Sequence, residues 1–188
     1  MAKHVLPADD APETAAKDPH PAAAGLMAAA DDDTLVGRTV TINRPARELY
    51  EFWRDLRNLP LFMENIETIE VYDDRRSHWR VKGPADSTVE WDSIITEDIP
   101  GRLIAWESDA NAAVPNTGRI EFRESSNGRG TIVSATIAYD PPAGAVGKLF
   151  AKVFQREPKI QARRDLRRFK QLMETGEIPT SVQLEVLS

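Results

Sequence analysis

Between Arg38 and Asn43 the chain alternates, with Val40 and Ile42 on one face and polar side chains on the other, the period of a half-buried strand. Asn43 then precedes Arg44-Pro45-Ala46-Arg47-Glu48, which reads as a cap followed by a proline in the first helical turn. Leu49, Phe52, Trp53 and Leu56 recur at helical spacing, so a short amphipathic helix follows the strand. Asn58-Leu59-Pro60 predicts a break, Leu61 to Glu64 one more helical turn, and Ile66, Ile69 and Val71 a second strand.

Five further strands are predicted at about 76 to 82, 87 to 98, 102 to 108, 117 to 124 and 130 to 139. Turn residues separate them: Gly83-Pro84, Pro100-Gly101, Asn116 to Gly118, and Asn127-Gly128. Connections this short make neighbours antiparallel, giving seven strands interrupted by a helical pair. Beyond Pro141-Pro142, Val146, Leu149, Phe150, Val153 and Phe154 follow the 3.6-residue period, and so do Ala162, Leu166, Phe169 and Met173. The two stripes are out of phase across Pro158, which predicts one long helix kinked at that proline and ended by Gly176 and Pro179. A curved sheet must bury its apolar face, and this helix alone is long enough to cover it. Wherever side chains fail to fill the space between helix and sheet, a cavity remains.

Composition removes several kinds of chemistry. None of the 188 residues is cysteine, so disulfides, thiolate zinc sites, iron–sulfur clusters and cysteine nucleophiles are excluded. There are three histidines, two of them, His4 and His20, in the first stretch, which argues against a histidine-rich metal site or a Ser-His-Asp hydrolase; no metal or cofactor is expected. No segment approaches the roughly 20 apolar residues of a membrane helix. Ala22 to Ala30 lacks a preceding basic cluster and runs into Asp31-Asp32-Asp33, unlike a signal peptide, so a cytoplasmic location is expected.

Residues 1 to 33 carry two lysines against seven acidic residues, net −5 of the chain's −6, with four prolines and no aromatic residue. Such a segment cannot bury enough surface to offset chain entropy. The expected organisation is an acidic Ala/Pro-rich disordered tail at 1–34, one folded domain at 35–178 and a short tail at 179–188.

The order strand, two short helices, six strands and long helix resembles the helix-grip fold of the START-like (SRPBCC) superfamily. Leu59-Pro60-Leu61-Phe62-Met63, Trp79-Arg80-Val81-Lys82-Gly83, Glu90-Trp91-Asp92, Pro100 to Trp106, Asn116-Thr117-Gly118 and Asp165 to Lys170 look like the bacterial polyketide cyclase/dehydrase group, related to coenzyme Q-binding START proteins. The resemblance covers about residues 36 to 178. It implies an α+β fold, a seven-stranded curved antiparallel sheet wrapped around the C-terminal helix with two short helices between strands 1 and 2. It also implies a cavity for a small hydrophobic ligand, whether lipid, quinone or polyketide-like, and leaves the ligand open.

Strand phase points Trp79, Val81, Val89, Trp91, Ser93, Ile95, Ile104, Trp106, Ile120, Phe122, Val133, Ala135, Ile137 and Tyr139 to the concave side. The expected ligand wall is Trp79, Trp91, Ser93, Trp106, Phe122 and Tyr139, with Phe150 and Val153 from the helix, although each ring also reads as ordinary core. The polar residues in or near this phase are Ser93, the Tyr139 hydroxyl, Glu64, Glu107 and Asn116. A buried carboxylate among them would serve a cyclase or dehydratase as general acid or base, but no catalytic set is visible. Glu90, Asp92 and His78 point outward, and Gly128-Arg129-Gly130 reads as a hairpin turn rather than a phosphate loop.

From Ala145 to Gly176, nine basic residues stand against three acidic ones, net +6. That face suits either solvent or peripheral contact with an anionic membrane, as a lipid or quinone chaperone would need. Nucleic acid is not expected as a partner, because the rest of the domain balances this charge and the tail is acidic.

Overall fold

The computed structural model describes residues 35–83, 87–112, 114–139 and 158–177. Its strands are β1 (Leu35–Ile42), β2 (Ile66–Val71), β3 (Arg76–Lys82), β4 (Thr88–Ile99), β5 (Leu103–Ser108), β6 (Asn116–Glu124) and β7 (Thr131–Tyr139). Helix α1 (Ala46–Arg54) and a 3-10 helix (Leu56–Leu61) stand between β1 and β2, and helix α2 (Pro158–Thr175) follows β7. The expected tails and the helix stretch before Pro158, with its kink, lie outside the described residues.

All seven strands form one sheet in the order β1-β7-β6-β5-β4-β3-β2, every described pairing antiparallel. This is the α+β helix-grip arrangement. Register shifts between Ile66 and Thr68 and between Ile95 and Glu97 add residues on one strand, and such irregularities bend a sheet. At the β6–β7 turn Gly130 holds φ at 89°, and a β-carbon there would stand 2.1 Å from the Ile42 carbonyl oxygen, so the turn presses on the end of β1.

Helix α1 buries Ala46, Leu49, Tyr50 and Trp53, the 3.6-residue stripe, against the concave face. Helix α2 buries Leu166 and Phe169 on the same core. Phe169 stands 4.9 Å from Phe62 and 5.0 Å from Trp53, the latter ring edge-on at 84°. These rings tie both helices and the 3-10 turn into one aromatic cluster.

Three expectations need correction. Strand β1 begins at Leu35 rather than Arg38, because its backbone pairs with β7 as far as Ala138. Asn43 does not cap α1: Pro45 holds the N-cap position without a side-chain bond, and the Asn43 N–H donates to Glu174 Oε1 at 2.7 Å. Asn58-Leu59-Pro60 lies inside the 3-10 helix instead of breaking the chain. Local side-chain bonds hold that turn: Asp55 accepts from the Arg57 N–H at 3.3 Å, and Asn58 Nδ2 donates to the Phe52 carbonyl at 2.9 Å.

Helix α2 ends at Gly176, whose N–H donates to the Leu172 carbonyl at 2.8 Å and whose φ of 75° then turns the chain out of the helix. The Arg44 guanidinium donates to the Met173 carbonyl at 2.8 Å and the Glu174 carbonyl at 3.2 Å, and Lys170 Nζ donates to the Thr41 carbonyl at 2.8 Å. The C-terminal end of the helix is thereby fastened to the end of β1. Among the described residues no helix is long and apolar enough to cross a membrane.

Candidate functional site on the concave face

Residues directly opposite in an antiparallel pair share a face. Trp79 stands opposite Trp91, Ile95 opposite Trp106, Phe122 opposite Val133, and Asn116 opposite Tyr139. Ile95, Phe122 and Val133 pack in one core with Leu166 and Phe169 of α2, so this is the face beneath the helix. The strand phase expected from the apolar pattern is the observed one.

Trp79 and Trp91 stack with centroids 6.2 Å apart and planes 11° from parallel. The Trp79 indole N–H donates to Ser77 Oγ at 2.9 Å, which fixes the ring's orientation. Trp79, Trp91 and Trp106 are all half-buried, whereas Trp53 of α1 is only 4% exposed. Trp106 covers its cross-strand partner Gly118, where a β-carbon would stand 2.3 Å from the indole Cζ2.

The remaining predicted wall residues divide between two clusters. Phe122, 3% exposed, meets the edge of Tyr50 at 6.1 Å inside the main core. Tyr139 is buried with Val89 and Val114 in a smaller cluster, on which Trp91 and Ala162 of α2 also pack. Ser93 is buried and donates to the Glu107 carbonyl at 3.3 Å. Phe150 and Val153 lie outside the described residues.

Above the sheet, α2 contributes a carboxylate that the residue pattern alone did not single out. Asp165 is three residues after Ala162 and four before Phe169, hence on the inward stripe, and it is half-buried. Gln161 Nε2 donates to its Oδ1 at 2.8 Å. Burial pushes the Asp165 pKa up to about 7; the Gln161 bond opposes this, nearby Glu64 adds to it, and Arg168 and Arg164 pull against it. Arg168 is committed elsewhere, since its Nη1 donates to Glu64 Oε1 in an ion pair. The inward position of residue 165 was legible in the helical stripe; a carboxylate on an apolar stripe was the missed signal.

Of the other polar candidates, Glu64 is engaged by Arg168, and Asn116 Nδ2 donates to the Val114 carbonyl at 3.1 Å. Glu107 is a correction. It pairs with Thr117 and Ile94, in the opposite phase to Trp106, and therefore belongs to the outer face. His78 lies on that face too, with Nδ1 2.8 Å from Asp92 Oδ1 and Nε2 3.8 Å from Glu90 Oε2.

A cleft of about 530 Å³ opens where α1 and the 3-10 helix meet the β2–β3 turn. Tyr50, Arg54, Leu56, Val71, Tyr72 and Ile95 contribute to its walls. Asp98 accepts from two side chains of this wall, the Tyr50 hydroxyl and, at 2.7 Å, Arg54 Nε. Burial and the adjoining Asp98 carboxylate push the Tyr50 phenol up to about 12.

Residues 42–167 match the model of the polyketide cyclase/dehydrase and lipid transport family, and the chain belongs to that family. Its fold is that of a crystal structure from Deinococcus radiodurans, 41% identical, with a TM-score of 0.64 over 77% of this chain and 99% of that one. The Zhui aromatase/cyclase of Streptomyces sp. R1128 has the same fold at 17% identity, with a TM-score of 0.57 over 77% of this chain and 98% of its own. An uncharacterised 17.2 kDa protein of Streptomyces lincolnensis is 28% identical over 141 residues, 74% of this chain and 89% of that protein. Family membership supports a ligand-binding or cyclase role.

Proposed function

We propose that this protein binds a small hydrophobic or amphipathic molecule, of lipid, quinone or polyketide-like chemistry, between α2 and the concave face of the sheet. The observation that carries the reading is the incomplete burial of three tryptophans on that face. A closed core covers its largest rings, as Trp53 is covered; Trp79, Trp91 and Trp106 keep exposed surface on the concave face. Flat, parallel indoles suit a planar or extended apolar guest. Trp79, Trp91, Trp106 and Tyr139 would contact it, with Ser93 and Phe122 beneath, and Phe150 and Val153 remain the contacts expected from the sequence. The test is native mass spectrometry of freshly purified protein for a co-purified small molecule, followed by tryptophan emission and melting temperature with quinones, fatty acids and aromatic polyketides. A ligand-dependent shift in both is expected; no change with any of them would end the proposal.

A second reading, cyclase or dehydratase activity, is favoured by Asp165. A carboxyl that titrates near neutral pH exchanges protons readily, as a general acid or base must. Turnover of a polyketide-like substrate, lost in D165A, would establish it, and binding without conversion would count against it.

A further inference from the structure

Two polar groups on the inner side of α2 have hydrogen-bonding capacity that the described residues leave unused. Arg168 spends Nη1 on Glu64, while its Nε–H is buried from water and has no partner among the described residues. A buried donor without an acceptor is costly, because it has given up its bonds to water and gained none in return. Asp165 stands one helical turn away, where side chains three apart are neighbours. Only its Oδ1 is engaged, by Gln161, and Oδ2 takes no hydrogen bond from the described residues. Both residues flank Leu166 and Phe169, the stripe that meets the sheet, and Ala162 one turn earlier packs on the Trp91 and Tyr139 cluster.

We propose that Asp165 and Arg168 form a paired hydrogen-bond-donor site for a carbonyl oxygen at the polar end of the ligand. The inference rests on the ligand-binding reading above and deepens it: the guest is a ketone or quinone, apolar against the tryptophans and carbonyl-bearing toward the helix. A carboxylic acid offers one O–H, the guanidinium its remaining N–H, and a carbonyl oxygen has two lone pairs to receive them. An alkyl chain would leave both donors unmatched. The charged groups acting on Asp165 are Glu64 from the segment before β2 and Arg164 and Arg168 from its own helix; burial and Glu64 favour the neutral form, against the two arginines. The donor is therefore present below about pH 7 and is lost as the carboxyl ionises above it.

The experiment compares the full chain's affinity for two probes of like shape, 2-methyl-1,4-naphthoquinone and 2-methylnaphthalene, by equilibrium dialysis between pH 5.5 and 8.5. The absence of cysteine removes thiol addition to the quinone as a complication. The expected result is a preference of about tenfold or more for the quinone at pH 5.5, the size of one good hydrogen bond, declining as pH rises through about 7. D165N, whose amide donates at every pH, should keep a preference and lose its pH dependence. D165L should lose the pH dependence and keep only the part of the preference that Arg168 supplies, and R168K, which retains charge for Glu64 but lacks Nε, should show a reduced preference. Equal, pH-independent affinity of the unaltered protein for both probes would overturn the donor site while leaving the cavity standing. Failure of both probes to bind at any pH would overturn the donor site, and the ligand-binding reading falls with it when fatty acids and aromatic polyketides fail as well.

Discussion

The indole of Trp106 occupies the space in which any side chain at Gly118 would have to stand, a β-carbon there approaching within 2.3 Å of its ring. Glycine on β6 and tryptophan on β5 therefore act as one unit, the small residue making room for the large one. G118A should force the ring off its rotamer and destabilise the fold by about 1 to 3 kcal/mol, as overpacking does. Denaturant titration measures the loss, and a shifted tryptophan emission maximum reports the displaced ring. An unchanged midpoint and spectrum would show that the ring moves at no cost.

Trp53 and Trp79 should respond unequally to truncation. W53A removes a ring that is 4% exposed and in contact with Phe62 and Phe169, and a loss of about 3 to 5 kcal/mol is expected. W79A removes a half-buried ring and should cost less than half of that, about 1 to 2 kcal/mol, while abolishing ligand-induced melting shifts. Equal stability losses in the two variants would mean that Trp79 is ordinary core.

Asp165 makes stability depend on pH in a fixed direction. Its folded pKa of about 7 lies above the ordinary aspartate value of 3.8, so the folded state binds the proton more tightly than the unfolded chain. Stability from this group is complete below about pH 4 and is lost as pH rises through about 7. At about 1.4 kcal/mol per unit, the full effect is a few kcal/mol. D165N should therefore gain in melting temperature over the parent at pH 8 and gain little or nothing at pH 4. A melting difference that does not change between those pH values would remove the group from the balance.

Asp98 holds two donors of the cleft wall, and D98A would leave the Tyr50 hydroxyl and Arg54 without it. A loss of about 2 to 4 kcal/mol is expected from breaking so partly buried a pair. Ultraviolet absorbance at high pH offers a second check: one tyrosine should ionise near 12 in the parent, and that phase should vanish in Y50F.

Arg163 and Arg167 are exposed on α2. If this basic face touches anionic lipid, vesicles containing phosphatidylserine should sediment the protein at low salt and release it at 0.5 M, beyond the roughly 10 Å reach of charge at 0.1 M. R163E/R167E should abolish sedimentation. Binding that salt leaves intact would rule out this charge-driven contact.

The sheet was legible because its alternation is strict: Val89, Trp91, Ser93 and Ile95 mark one face of β4, and the observed register keeps them there. Glu107 was misplaced because a strand end carries too few alternations to fix its phase against a neighbour. The 3-10 helix was hidden by Pro60, since the Asn58 and Asp55 side-chain bonds that sustain the turn have no periodic signature. Asp165 escaped notice for a different reason. Its importance comes from burial and from Arg168 turning to Glu64, 104 positions away in the chain, a partnership no local pattern encodes.

The pairing of β1 with β7 has a consequence for biosynthesis. Among the described strands, the first to leave the ribosome, β1, finds its sheet neighbour in the last to be made, β7, and the Arg44 and Asn43 bonds to the end of α2 form later still. At roughly 5 to 20 residues per second, that strand waits several seconds with an unpaired edge. A nascent chain stalled before residue 131 holds six of the seven described strands without the β7 that pairs β1 to β6, and is the species a holding chaperone would meet.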